Sequence, residues 1–241
     1  MNLRAKRRYL RELVEAKNKS FPPLTAAEKR VGFLGWHQRG YLPHCDYPGL
    51  VQFVTFRLKD SMPAVRKGEW EHLLSIEDER AKRIQLENYL DRGVGDCHLR
   101  DERAAAVTEE TLLHSHNQSY ELLAWCVMPN HVHMLVHLWQ TPLCKILQSW
   151  KSYSAAQINK SLRRSGALWE PDYWDTFMRD EEQERTAIRY IENNPVQAKL
   201  CRVAAEWSFS SARFRDEYRR MVLPNVAERR APALRVPPPT E

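Results

Sequence analysis

Residues 120–138 constrain the fold of this chain more than any other stretch. Tyr120 to Met128 is a nearly continuous apolar run, as a central strand buried on both faces would be. Pro129-Asn130 follows as a tight-turn signal. His131 to Leu138 then alternates, with Val132, Met134 and Val136 on one face and His131, His133 and Leu135 on the other. The pair predicts an antiparallel hairpin. Leu50 to Leu58, rich in β-branched and aromatic residues, predicts another strand, and a shorter one is expected within Tyr173–Arg179.

Helices are expected in the gaps. Residues 69–90 are charged with interspersed Leu and Ile. Residues 142–164 place Leu143, Ile146, Leu147, Trp150 and Ser154 on one stripe, with Lys145 and Lys151 outside it. A further helix opens with Asp180 as N-cap, Glu181 and Glu182 in the first turn, and Gln183 three residues after the cap. Pro195 is expected to end or re-aim that helix. The order β-α-β-β-α-β-α predicts an α+β fold: a ferredoxin-like antiparallel sheet with helices on one face.

A chain of 241 residues with 43% hydrophobic residues suits one domain with extended arms. Residues 1–30 read as a basic N-terminal arm, helical at first and broken at Phe21-Pro22-Pro23, and 31–221 as the folded domain. Residues 222–241 are Pro/Arg-rich and lack the apolar content to pack, so disorder is expected there. No run approaches the roughly 18 apolar residues of a membrane helix, and no apolar segment follows the basic N-terminus as in a secretory signal. Five dispersed cysteines without a CxxC pair argue for reduced thiols in a cytoplasm. With only 8 glycines and no Gly-rich phosphate loop, a nucleotide cofactor is not expected.

The net charge of +6 is unevenly spread. Residues 1–19 carry Arg4, Lys6, Arg7, Arg8, Arg11, Lys17 and Lys19 against Glu12 and Glu15, and a second basic stretch runs from Lys145 through Lys151 and Lys160 to Arg163 and Arg164. Such patches supply the salt-dependent part of nucleic-acid affinity, and either alone also fits a solvated helix face.

His131-Val132-His133 is the sharpest local feature. On a strand, residues i and i+2 share a face, so both imidazoles can reach one metal ion while leaving coordination positions open. Two hydrogen-bonded histidines on a half-exposed strand would give the same pattern. His137 shares the parity but lies too far along the strand and is read as a bystander.

The run Trp125-Cys126-Val127-Met128-Pro129-Asn130-His131-Val132-His133 resembles the metal-binding strand of the single-tyrosine HUH transposases. Ile188-Arg189-Tyr190-Ile191-Glu192-Asn193-Asn194-Pro195-Val196 resembles their nucleophile helix. More narrowly, the chain is similar to REP-associated tyrosine transposases over roughly residues 36–215. Arg39-Gly40-Tyr41-Leu42-Pro43-His44, Leu147-Gln148-Ser149-Trp150-Lys151-Ser152 and Trp169-Glu170-Pro171-Asp172-Tyr173-Trp174-Asp175 support this.

The resemblance implies an HUH nuclease fold for 31–221, with His131 and His133 as metal ligands, Tyr190 as nucleophile and Asn194 as the amide-bearing third ligand. Where the wider group often has Gln, Asn194 is shorter, which leaves a place for water. Read alone, Tyr190 would be a core residue beside Ala187 and Ile191, and Asn194-Pro195 would suit an N-cap with Pro at N1. The implied chemistry is cleavage and rejoining of single-stranded or hairpin DNA through a 5′-phosphotyrosine, with Mg²⁺ or Mn²⁺ as cofactor. A phenol of ordinary pKa must lose its proton as it attacks, and the sequence names no base.

DNA contacts are expected from Arg7, Arg8, Arg11, Lys151, Arg163 and Arg164, with one or two of Trp150, Tyr153, Trp169, Tyr173, Trp174 and Trp207 stacking on bases. The protein is expected in the cytoplasm with the nucleoid, as a monomer or homodimer without membrane contact. Two alternatives keep the same residues: a domesticated hairpin-binding protein without cleavage, and a metal-dependent hydrolase that uses a metal-bound water.

Overall fold

The computed structural model describes residues 12, 14, 15, 17, 21–39, 42–63, 66–76 and 78–223. Among them the helices are α1 (Ala26–Val31), α2 (Lys67–Ser75), α3 (Glu79–Asp91), α4 (Glu102–Leu113), α5 (Leu143–Ser161) and α6 (Glu181–Gln197). The strands are β1 (Gly35–Arg39), β2 (Leu42–Asp46), β3 (Val51–Arg57), β4 (Tyr120–Val127), β5 (His131–Leu138) and β6 (Trp174–Phe177).

The main sheet runs β4-β5-β3-β6, with each neighbouring pair antiparallel. β3 and β4 are therefore parallel with β5 between them, the split β-α-β arrangement of a ferredoxin-like α+β fold. The predicted hairpin is present: Met128 N donates to His131 O across the Pro129-Asn130 turn at 2.9 Å. A bulge between Leu122 and Ala124 changes the parity of β4, so Leu122, Trp125 and Val127 enter one core while Ala124 and Cys126 enter the other. That is why the run reads as continuously apolar.

α4 and α5 cover the face carrying Val132, Met134 and Val136, and the Leu143, Ile146, Leu147, Trp150 and Ser154 stripe of α5 is buried there. The helices are not confined to that face. Phe53, Ala124, Cys126 and Leu135 make the opposite face apolar as well, and α6 covers it through Ile191 with Ala187, Ile188 and Tyr190. The expected helix at 69–90 is two helices, α3 restarting at Asp78, whose carboxylate caps Ala81 N at 2.6 Å. α4 and the β1–β2 hairpin were not anticipated from the pattern of residues.

Asp180 caps α6 as expected, accepting from Gln183 N at 2.8 Å. Pro195 does not end that helix, which continues to Gln197. So near the C-terminus proline deletes one helical hydrogen bond and little else. Asn194 is consequently a helix-interior residue, not the cap of a new helix.

Beyond α6 the chain straps the free edge of β4. Val127 N donates to Phe209 O at 2.9 Å and Trp125 N to Ser211 Oγ at 3.1 Å. Two ion pairs hold the strap: Arg213 with Glu109 at 2.5 Å, and Arg215 with Glu192 at 2.7 Å. No helix among the described residues is long and apolar enough to cross a membrane.

Candidate active site

His131 and His133 project from β5 onto the α6 side of the sheet, and both are fully buried. Their Nε2 atoms lie 3.0 Å apart. Each ring is held from behind. His133 Nδ1 is 2.7 Å from Thr55 Oγ1, which faces it across the β3–β5 ladder.

His131 Nδ1 is 2.7 Å from Asn130 Oδ1. The Asn130 amide nitrogen donates to Leu90 O at 3.1 Å and Val94 O at 3.0 Å, which fixes its orientation and leaves Oδ1 as an acceptor. His131 must therefore carry its hydrogen on Nδ1. Burial, and after it the neighbouring His133, push the His131 pKa well below the ordinary value, so the ring is neutral and Nε2 presents a bare lone pair.

Tyr190 sits on α6 over this pair. Its ring lies 5.6 Å from the His133 ring and 5.9 Å from that of Phe53. The spacing of four residues brings Asn194 onto the same face, where its amide nitrogen donates to the Tyr190 hydroxyl at 3.4 Å. Tyr190 is both a packing residue and a neighbour of the histidines. Asn194 is fully buried, and its Oδ1 has no hydrogen-bond partner among the described residues.

An acidic residue joins them from α3. Asp91 Oδ1 is 3.8 Å from His131 Nε2 and is also buried without a hydrogen bond. Burial pushes its carboxyl up to about 6, with the Asn194 amide acting in the opposite direction. The ligand atoms of Asp91, His131 and His133 lie within 4.8 Å of one another. Ligands placed cis around one ion at ~2.1 Å stand about 3 Å apart, the spacing of the two imidazole nitrogens, and the 3.8 Å from His131 to Asp91 lies between that and the trans spacing of about 4.2 Å. The sequence carried no signal for Asp91, one acid among many at the end of a charged helix. Thr55 did have one, as a polar residue mid-strand in an apolar run.

The expected DNA-contact residues are not gathered at this centre. Arg7, Arg8 and Arg11 lie outside the described residues. Lys151 donates to the carbonyls of Glu170, Pro171 and Asp172 at 2.9, 3.1 and 3.0 Å, so its charge secures the loop before β6. Arg164 bonds the Asn159 side chain just beyond α5, and Arg163 is exposed. Of the aromatics, Trp150, Trp169 and Tyr173 are buried core residues, and Tyr153 is exposed. His137 pairs loosely with Glu121 at 3.6 Å, away from the histidine pair.

Residues 99–194 match the family described as transposase IS200 like, a segment that contains His131, His133, Tyr190 and Asn194. Asp91 precedes it. A REP-associated tyrosine transposase of Escherichia coli is 25% identical over 125 residues, 47% of this chain and 71% of that protein. A Haemophilus influenzae protein described in similar terms is 25% identical over 103 residues, 38% of this chain. The match spans only 58% of that relative's length.

Among solved structures, a REP-associated tyrosine transposase bound to a REP hairpin overlaps 72% of this chain and 82% of that one, at a TM-score of 0.44 and 18% identity. A transposase from Deinococcus radiodurans overlaps 66% and 96%, at 0.29 and 17%. Overlaps this distant assign no ligand or activity to this chain. The resemblance to REP-associated tyrosine transposases read from the motifs is borne out by the family match and the curated relatives.

Proposed function

We propose that this protein is a transposase-type DNA transesterase that cleaves and rejoins single-stranded or hairpin DNA through Tyr190. The observation that carries the reading is the buried meeting of His131 and His133 beneath a tyrosine whose hydroxyl is bonded to Asn194. The Nε2 of His131, His133 and the orphaned oxygen of Asn194 would hold a divalent cation, Mg²⁺ or Mn²⁺. When bound, such an ion polarises a non-bridging phosphate oxygen and stabilises charge on the leaving oxygen.

The chain's own residues do the rest. Thr55 and Asn130 orient the imidazoles, and Asn194 aims the Tyr190 hydroxyl. The Tyr190 oxygen attacks phosphorus in line and loses its proton. The bond to the 3′ oxygen breaks, and that oxygen takes up a proton to become a 3′-hydroxyl, while the 5′-phosphate remains on the tyrosine. The same hydroxyl can reverse the step, so rejoining needs no nucleotide cofactor.

A denaturing gel with labelled single-stranded oligonucleotides from the flanks of its own gene, in Mg²⁺ or Mn²⁺, tests this. The wild type should form a covalent protein–DNA adduct that Tyr190→Phe abolishes. Cleavage surviving in Tyr190→Phe would point to a water-using hydrolase. Hairpin binding with no cleavage would point to a domesticated binding protein.

A further inference from the structure

We propose that the cation site has an acidic protein ligand beside His131, His133 and Asn194, namely Asp91, delivered by α3, and that Asn130 is the positioning residue that keeps it there. The inference rests on reading His131 and His133 as a cation-binding pair, and it deepens that reading.

The geometry is specific. Asp91 is the last residue of α3; the Asn194 side chain bonds its carboxyl, and its Oδ1, without a hydrogen bond, faces His131 Nε2 at 3.8 Å. A buried carboxylate oxygen facing an imidazole acceptor nitrogen is an arrangement that favours a proton or a cation between them. His131 Nε2 and His133 Nε2, only 3.0 Å apart, form a pair that a hydrogen on His133 Nε2 bridges when no ion is bound and that an ion would take over. One ion among the three satisfies both. The carboxylate also makes the donor set harder than two imidazoles and an amide, which shifts preference toward Mg²⁺ and Mn²⁺.

Asn130 connects the two halves of the site. Its Oδ1 fixes the His131 tautomer from the β4–β5 turn. Its amide nitrogen grips Leu90 O and Val94 O, the carbonyls on either side of Asp91. A single buried side chain thus sets the first histidine and tethers the end of α3 against it.

Direct Mn²⁺ binding to the full chain, followed by the electron paramagnetic resonance signal of free Mn²⁺, tests the proposal without reference to cleavage. Asp91→Asn should weaken Mn²⁺ binding at least tenfold, and Asp91→Glu should recover part of the loss; thermal unfolding checks that each variant is folded. His131→Ala serves as the reference. If His131→Ala loses Mn²⁺ while Asp91→Asn binds within twofold of the wild type, the Asp91 assignment is overturned and the histidine pair stands. If the wild type itself binds no Mn²⁺, the cation reading falls and this proposal with it.

For Asn130 the test is a double-mutant cycle. Asn130→Asp keeps an acceptor for His131 but loses both donors to α3. Its added negative charge would by itself tighten cation binding, so a loss reports the broken tether. Binding should weaken roughly tenfold in the wild type and less than twofold in Asp91→Asn, because the tether acts through Asp91. Equal losses in both backgrounds would refute the positioning role.

Discussion

His44 offers a sharp test of how β2 is joined to the far edge of the sheet. The ring is 1% exposed and lies between two carboxylates, Asp175 at 2.5 Å from Nδ1 and Asp172 at 3.1 Å from Nε2. Only the imidazolium can donate on both sides. Burial alone would lower the pKa; the hydrogen bonds to Asp172 and Asp175 and their charges outweigh it and raise the value to about 9.

A folded pKa above the ordinary 6.5 means the stabilisation is complete below pH 6.5 and is lost as the pH rises through 9. The linkage relation gives about 3 kcal/mol at pH 6.5 and about 1 kcal/mol at pH 8.5, a loss of about 2 kcal/mol across that window. Burial also raises the Glu109 carboxyl to about 7 and those of Asp46 and Asp91 to about 6; together they cost about 1 kcal/mol within the window, a loss that a His44 variant shares.

Urea unfolding at pH 6.5, 7.5 and 8.5 should therefore show wild-type stability falling by about 3 kcal/mol, of which about 2 kcal/mol is the His44 contribution. His44→Gln should be less stable at pH 6.5 and should fall by only about 1 kcal/mol across the range, the share of the buried carboxyls. Equal slopes in the two proteins would show that His44 is not charged in the folded state and that the clamp works by neutral hydrogen bonding.

Two further outcomes follow from local geometry and charge. Gly95 has φ near +96°, and a Cβ there would stand 2.7 Å from the Asp60 carbonyl oxygen, so Gly95→Ala should cost roughly 2 kcal/mol or more in urea unfolding. A change within about 0.5 kcal/mol would mean the loop relaxes freely. Neutralising Arg7, Arg8 and Arg11 should reduce the slope of log affinity against log salt for single-stranded DNA by about 2. An unchanged slope would exclude the arm from the interface.

The sequence by itself determined the hairpin, the facing of its histidines and the helix that follows at Asp180. These are local matters: strand parity, a two-residue turn and a cap are each decided within a few residues. It also determined that Tyr190 and Asn194 share a helix face, because four residues make about one turn. Whether that face met the histidines was beyond any local rule.

Only tertiary structure brought α6 to the second face of the sheet, where Phe53, Cys126 and Leu135 required cover. It carried α6 through Pro195, since neighbouring packing outweighs one missing hydrogen bond. It gave Lys151 to three carbonyls, although the helical pattern had left that residue facing outward. Asp91 is the clearest case: it lies 3.8 Å from a histidine far along the chain, placed there by the packing of α3 and the hydrogen bonds of Asn130. Periodicity records which side of an element is buried; which residue from a distant element fills the space opposite is decided by the packing of the whole chain.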